Sequence, residues 1–172
     1  LLISGPTELP VPRGVDLVRV TSAEQMAAAA LPAVAGARAF IACAAVADQR
    51  PRDCAPQKAK KGEGEEVLTL VRTPDILALA SAAAPPGPDR PIFVGFAAET
   101  ERVLEHAAEK LARKGLDLIA ANDVTSPGAG FGSRTNRLTL IDRTGARVEL
   151  PEASKEELAH ALLDRVVALQ RR

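Results

Sequence analysis

Tryptophan and tyrosine are missing from this chain, and its only aromatics are four phenylalanines. Cysteine is nearly as scarce. Cys43 and Cys54 are too few for a disulfide framework or a four-ligand zinc site, which leaves a reduced, cytoplasmic protein as the simpler reading. Neither sign of charge dominates: 22 basic residues balance 22 acidic ones, so there is no overall basic footprint for nucleic acid. No apolar run approaches the roughly 20 residues of a membrane-spanning helix. The two histidines, His106 and His160, are isolated on expected helices without a metal-ligand partner at a useful spacing, and read as solvated surface. No internal repeat is visible. The chain opens on Leu1-Leu2-Ile3-Ser4, with no methionine and no signal-peptide charge pattern. That opening reads as the middle of a strand, and the expectation is a piece of a longer protein.

What is present is a core-forming composition. With 172 residues, 47% of them hydrophobic, one globular domain over residues 1–172 is expected. Short apolar runs alternate with helical patterns. Leu1–Ile3 and Leu17–Val20 are strand candidates, and Thr21 or Ser22 caps a helix over Ala23–Val34. Ala39–Cys43 reads as the central strand. Residues 49–66 are polar, with Gly62-Glu63-Gly64, and read as a flexible flap bearing lysines, before Val67–Arg72 returns to strand. Thr73-Pro74-Asp75 reads as a helix start with Thr73 as N-cap, and the helix runs to Ala83, where Pro85-Pro86-Gly87-Pro88 stops it. Pro91–Gly95 is a strand, Thr100–Lys114 an amphipathic helix ended by Gly115, and Leu116–Ala121 a buried strand. After an irregular loop over 122–136, Arg137–Ile141 and Arg147–Leu150 flank a turn at Arg143-Thr144-Gly145, and Ser154 caps a last helix to Leu169. The alternation predicts an α/β fold: a Rossmann-like three-layer sandwich with a mostly parallel sheet and a C-terminal β-hairpin.

Ligands in such sheets bind at the carboxyl ends of the strands. Cys43-Ala44-Ala45, Thr73-Pro74-Asp75, Gly95-Phe96 and Asn122-Asp123 all fall at expected strand ends. Phe40–Asp48 is the most informative stretch. A buried strand runs into very small residues, which let a ligand approach the backbone, and a carboxylate follows. Ten residues on come Lys58, Lys60 and Lys61. A tight strand end, an acid and a set of cations suit a nucleotide triphosphate. Each feature has a plainer reading too: small residues for helix–sheet packing, Asp48 as a cap, the lysines as a solvated face, Phe96 as core. Lys110 and Lys114, four apart on one helix face, complement a helix C-terminus as readily as a phosphate. Gly128-Ala129-Gly130-Phe131-Gly132-Ser133 is no dinucleotide fingerprint, because it does not open a helix after a strand.

The segments Cys43-Ala44-Ala45-Val46-Ala47-Asp48 and Lys58-Ala59-Lys60-Lys61 resemble those of phosphopantothenate–cysteine ligases, the phosphopantothenoylcysteine synthetases of coenzyme A biosynthesis. Pro74-Asp75-Ile76-Leu77, Gly95–Thr100 and Asn122-Asp123-Val124 extend the resemblance over nearly the whole chain. It implies CTP-dependent ligation of 4'-phosphopantothenate with cysteine through an acyl-cytidylate, with magnesium bridging phosphates. It implies nucleotide contacts at Ala42, Cys43, Ala44, Asp48, Lys58, Pro74, Asp75, Ile76, Leu77, Phe96, Lys110 and Lys114. Lys58 takes the catalytic role, Ala45, Asn122 and Asp123 line the pocket, and no metal ligand is assigned. It further implies a homodimer, and fusion to a flavin-dependent decarboxylase that alone would carry FMN.

One departure stands out. The family's Ser-Asn-His-Ser-Ser-Gly segment has no counterpart, and the only asparagines are Asn122 and Asn136. The expectation is a retained nucleotide site with part of the acyl site missing, and weak ligation by this chain alone. The competing reading is a non-catalytic nucleotide-binding or assembly module.

Overall fold

The computed structural model describes residues 1–54, 57, 65, 67–99, 102–123 and 133–171, with Glu99 and Asp123 described by their backbone alone. In chain order its elements are β1 (Leu2–Ser4), β2 (Leu17–Arg19), α1 (Ala23–Ala30), β3 (Ala39–Ala42), β4 (Gln49–Pro51), β5 (Leu70–Arg72), α2 (Ile76–Ala83), β6 (Ile92–Glu99), α3 (Val103–Arg113), β7 (Leu118–Asp123), β8 (Thr135–Asp142), β9 (Arg147–Ser154) and α4 (Lys155–Gln170). The chain divides into two compact units, Leu1–Ala30 with Ala44–Ile76, and Leu31–Cys43 with Leu77–Arg172.

In the first unit β1 and β2 pair in parallel, and β4 and β5 pair antiparallel. Ser22 is the cap of α1: its hydroxyl accepts from the Gln25 amide at 3.2 Å. The helix stops at Ala30 rather than Val34, because Pro32 has no N–H for the next helical bond and its ring clashes with the preceding turn. The chain tightens instead into a 3-10 turn over Pro32–Val34. The expected flap also needs correction at its start. Residues 49–51 are strand, in register with 70–72, and the ladder is continued by Arg52 donating to the Thr69 carbonyl at 2.8 Å. Arg50 pairs with Glu24 of α1 at the surface. Lys58, Lys60 and Lys61 lie outside the described residues.

The second unit is a five-stranded sheet in the order β3-β6-β7-β8-β9. It is parallel through β3, β6 and β7, and antiparallel through the β8–β9 hairpin. Period-two alternation sorts its side chains onto two faces. Phe93, Ala97, Ile119, Ala121 and Ile141 pack against Leu77 and Ala80 of α2 and Ala107 and Leu111 of α3. Val94, Leu118, Ala120, Leu138 and Leu140 pack against Leu158, Leu162 and Val166 of α4. These are three layers, helix, sheet and helix, as the alternation of elements predicts. Each large side chain taken from water contributes about 1.5–3 kcal/mol.

The helix ends follow the sequence. Leu116 donates to the Leu111 carbonyl and Gly115 to the Ala112 carbonyl, a Schellman closure that Gly115 permits with φ +61°. Ser154 caps α4, and its hydroxyl and amide both reach Glu157. Two starts differ from expectation. The first described helical residue of α3 is Val103, preceded by Arg102 in the left-handed region at φ 47°. The helix α2 begins at Ile76, so Asp75 and not Thr73 stands immediately before it. Two strands also reach into the expected 122–136 loop, β7 to Asp123 and β8 from Thr135.

At the amino ends of the parallel strands lie two buried carboxylates. Asp117 accepts from the Phe93 amide at 2.8 Å and pairs with Arg90 at 2.7 Å and Arg143 at 3.3 Å. Asp142 accepts from Thr144, through amide and hydroxyl, and from the Ala146 amide, and pairs with Arg165 of α4 at 2.6 Å. Burial pushes the Asp142 carboxyl up, but the bonds from Thr144, Ala146 and Arg165 outweigh it and hold the group below the ordinary carboxylate value.

Two outcomes are expected. A Cβ on Gly95 would lie 2.8 Å from Leu116 Cδ1 and 3.0 Å from Leu77 Cδ2, so Gly95→Ala forces buried leucine tips to move. Denaturant titration should register a loss of about 1–2 kcal/mol. Asp142→Asn strips the charge facing Arg165 and should cost about 3 kcal/mol near neutral pH. Because the folded value of Asp142 is depressed, its contribution is complete above the unfolded carboxylate range and is lost as pH falls through the folded value. Wild-type and variant melting curves should therefore converge in acid.

Candidate functional site

The parallel strands β3, β6 and β7 end on the same edge of the second unit, and β3 is the first to stop. Its last residue, Ala42, is in register with Gly95 of β6. One residue further along β6, the Phe96 carbonyl accepts from the Lys110 ammonium at 2.8 Å. Lys110 sits in the last turn of α3, and its ammonium reaches the sheet at that carbonyl. It thus carries a positive charge to the notch where β3 leaves β6. Cys43 follows Ala42 as an exposed thiol. Ala42 is half-buried and carries only a methyl, which leaves the backbone at the end of β3 approachable, while Gly95 beside it is covered by Leu77 and Leu116. The sequence names Phe96 and Lys110 separately; their contact across 14 residues is visible only in the fold.

Lys114, expected to act beside Lys110, is the C-cap of α3, and its amide donates to the Lys110 carbonyl. Leu77 is buried in the core beneath Gly95. The Phe96 ring, half-buried, packs on the α4 face of the sheet beside Val94 and Leu118. Asn122 is held in β7, in register with Ala98 of β6. Its Oδ1 is buried, and among the described residues nothing donates to it. An acceptor in that condition has lost its water without replacement, at a cost of about 1–3 kcal/mol. Asp123 ends the strand, in register with Glu99.

The remaining expected residues lie in the first unit. Ala44 and Ala45 form a tight turn, with the Val46 amide 3.1 Å from the Ala44 carbonyl. Asp48 is exposed, and its carbonyl accepts from the Thr73 amide at 3.1 Å. The Thr73 hydroxyl donates to the Ala47 carbonyl. These bonds place the Ala47-Asp48 segment beside Thr73-Pro74-Asp75, two motifs 25 residues apart in sequence and adjacent in the fold. Pro74 and Ile76, which follow, are half-buried. Among the described residues no group of three histidine, cysteine, aspartate or glutamate side chains is placed to hold a metal ion.

Comparison with known proteins gives a consistent result. The coenzyme A biosynthesis bifunctional protein CoaBC of Vibrio cholerae is 46% identical over 164 residues, spanning 94% of this chain and 40% of that protein. The chain thus spans well under half the length of this relative. The solved C-terminal domain of a coenzyme A biosynthesis bifunctional protein CoaBC superposes with a TM-score of 0.77 at 33% identity, covering 99% of this chain and 74% of that one. A Cab2 variant solved in complex with phosphopantothenate-cysteine shares the fold, with a TM-score of 0.63 at 19% identity over 90% of this chain and 52% of that one. The model of the DNA/pantothenate metabolism flavoprotein C-terminal domain matches residues 1–169, and the chain belongs to that family.

Proposed function

We propose that this chain works as the ligase portion of a coenzyme A-forming enzyme, joining 4'-phosphopantothenate to cysteine with CTP as the activating nucleotide. The observation that carries the reading is the Lys110 ammonium held at the Phe96 carbonyl, in the notch beside Ala42 and Cys43. A cation at the carboxyl end of a parallel strand, beside the small residue Ala42 and the exposed Cys43, suits a nucleotide phosphate. Membership of the family and the phosphopantothenate-cysteine held by the Cab2 variant point to the same substrates.

In the proposed reaction the phosphopantothenate carboxylate attacks the α-phosphorus of CTP, and pyrophosphate leaves. The cysteine amine then attacks the acyl carbon, loses a proton, and CMP departs with the carboxyl oxygen. Lys58, ten residues beyond Asp48 in sequence, neutralises the charge that collects on the departing pyrophosphate. Asp48 accepts hydrogen bonds from the nucleotide. Magnesium, if bound with the triphosphate, would offset the charge of its oxygens, and no residue of this chain is assigned to hold it. A homodimer in the cytoplasm, fused to a flavin-dependent decarboxylase portion that carries FMN, completes the reading; the relatives' greater length and the word bifunctional in their names support the fusion.

Calorimetric titration with magnesium should give binding of CTP in preference to ATP. Equal and weak binding of all nucleotides removes the base preference, and absence of binding overturns the site. Adding phosphopantothenate should release pyrophosphate, which a module that merely binds nucleotide would not do. Lys58→Ala should weaken CTP binding about ten- to a hundredfold, the worth of one charge-assisted hydrogen bond. It should slow single-turnover pyrophosphate release by about a hundred- to a thousandfold. Lys61→Ala should do less in both assays, and wild-type behaviour of both variants would return the lysine cluster to a solvated loop.

A further inference from the structure

We infer that Asn122 is a ligand-positioning residue, whose side-chain oxygen accepts a hydrogen bond from an N–H or O–H group of a substrate seated at the carboxyl ends of β6 and β7. The inference rests on the functional reading above and assigns within it a role to a residue otherwise only expected to line the pocket.

Three observations carry it. The oxygen is buried and, among the described residues, has no donor. The residue is not on a pliant loop: its strand stays in register with β6 through Ala98↔Asn122 and on to Glu99↔Asp123. A mobile segment would turn an unpaired amide toward water, whereas a paired strand holds it where it is. Third, the position is wrong for packing alone. Residues 118 and 120, on the same side of β7, are leucine and alanine buried against α4. Continuing that series with an amide makes sense only if something polar meets it. Phe96, on the neighbouring strand, lies on the same side of the sheet, so a ligand that touches that ring from the strand ends comes within reach of Asn122.

An amide oxygen accepts and does not donate, so the partner must supply a hydrogen. Phosphate and carboxylate oxygens are thereby excluded as its partner. Three sources remain among the proposed substrates: the amino and hydroxyl groups of CTP, the amide N–H and hydroxyl of phosphopantothenate, and the amine of cysteine.

The chain makes the test tractable, because Asn136 is its only other asparagine. Asn136 Oδ1 already accepts from the Arg137 amide at 2.9 Å and serves as an internal reference. Protein labelled only at asparagine side-chain carbonyls gives two signals, assigned with Asn136→Ser. On titration with CTP and magnesium, with phosphopantothenate, or with cysteine, the Asn122 signal should move with one of them while that of Asn136 stays, and a response to cysteine alone identifies its amine as the donor. A response to CTP alone identifies the nucleotide as the donor, and a response to phosphopantothenate alone identifies the acyl substrate.

Asn122→Leu should weaken that same ligand about ten- to a hundredfold, the value of a buried hydrogen bond. The free protein should melt at the same or a higher temperature, since an unpaired acceptor has been replaced by an apolar group of similar size. Calorimetric binding with an unmoved Asn122 signal, or with unchanged affinity in Asn122→Leu, overturns the assignment and leaves the functional reading intact. Failure of all three ligands to bind the wild-type chain overturns the two together. If the leucine variant does not fold, the labelled wild-type protein decides alone.

Discussion

Two carboxylates buried at the amino ends of the strands set the frame for the second unit. Asp117 is 4% exposed and Asp142 2%. Alone, either would be too costly to bury; here each is surrounded by donors from other elements. Asp117 links the Phe93 amide, the arginine that precedes β6 and the hairpin turn. Asp142 organises that turn and takes Arg165 from α4. The helix layer on one face, the hairpin and the two central parallel strands thus share one polar fastening. Arg90 adds to it by lying over the Phe93 ring, 4.8 Å from its centre, and by donating to the Gly115 carbonyl that closes α3.

Much of the fold was legible because its signals are local. Gly115 announces a helix end, Ser154 a helix start, and the unbroken apolar run Leu118 to Ala121 a strand buried on both faces. What was not legible depends on partners distant in sequence. Residues 49–51 are polar and read as loop; they become strand because 70–72 supply the matching backbone groups. The same holds for Asn122 and Asp123, drawn into β7 by continued pairing with β6. Thr73 carries the composition of an N-cap, but its hydroxyl is engaged by Ala47 and the helix starts three residues later. Asp117 and Asp142 are not legible, because a lone aspartate in a sequence looks the same whether it faces water or an arginine.

For the candidate site the sequence identified residues and the fold supplied relations. The motif around Ala42 and Cys43, the Phe96 strand and the two lysines of α3 were each readable as short patterns. That Lys110 meets Phe96 through a backbone carbonyl, at the point where β3 ends, was not, because the contact involves no side-chain chemistry on the phenylalanine. A substitution at Phe96 that preserved the strand would leave this bond in place, and the lysine would still be delivered to the notch.

The polar fastening and the site lie at opposite ends of the same strands. The arginine–aspartate cluster grips the amino ends, and among the described residues its donors are Arg90, Phe93, Arg143, Thr144, Ala146 and Arg165, none of which follows a carboxyl end of the parallel strands. Such a division separates heritable stability from heritable chemistry. Changes in the strand-end loops can alter what is bound without loosening the sheet, while changes near Asp117 or Asp142 affect the whole unit and bring no new specificity. A fold fastened at one end in this way is free to diversify at the other.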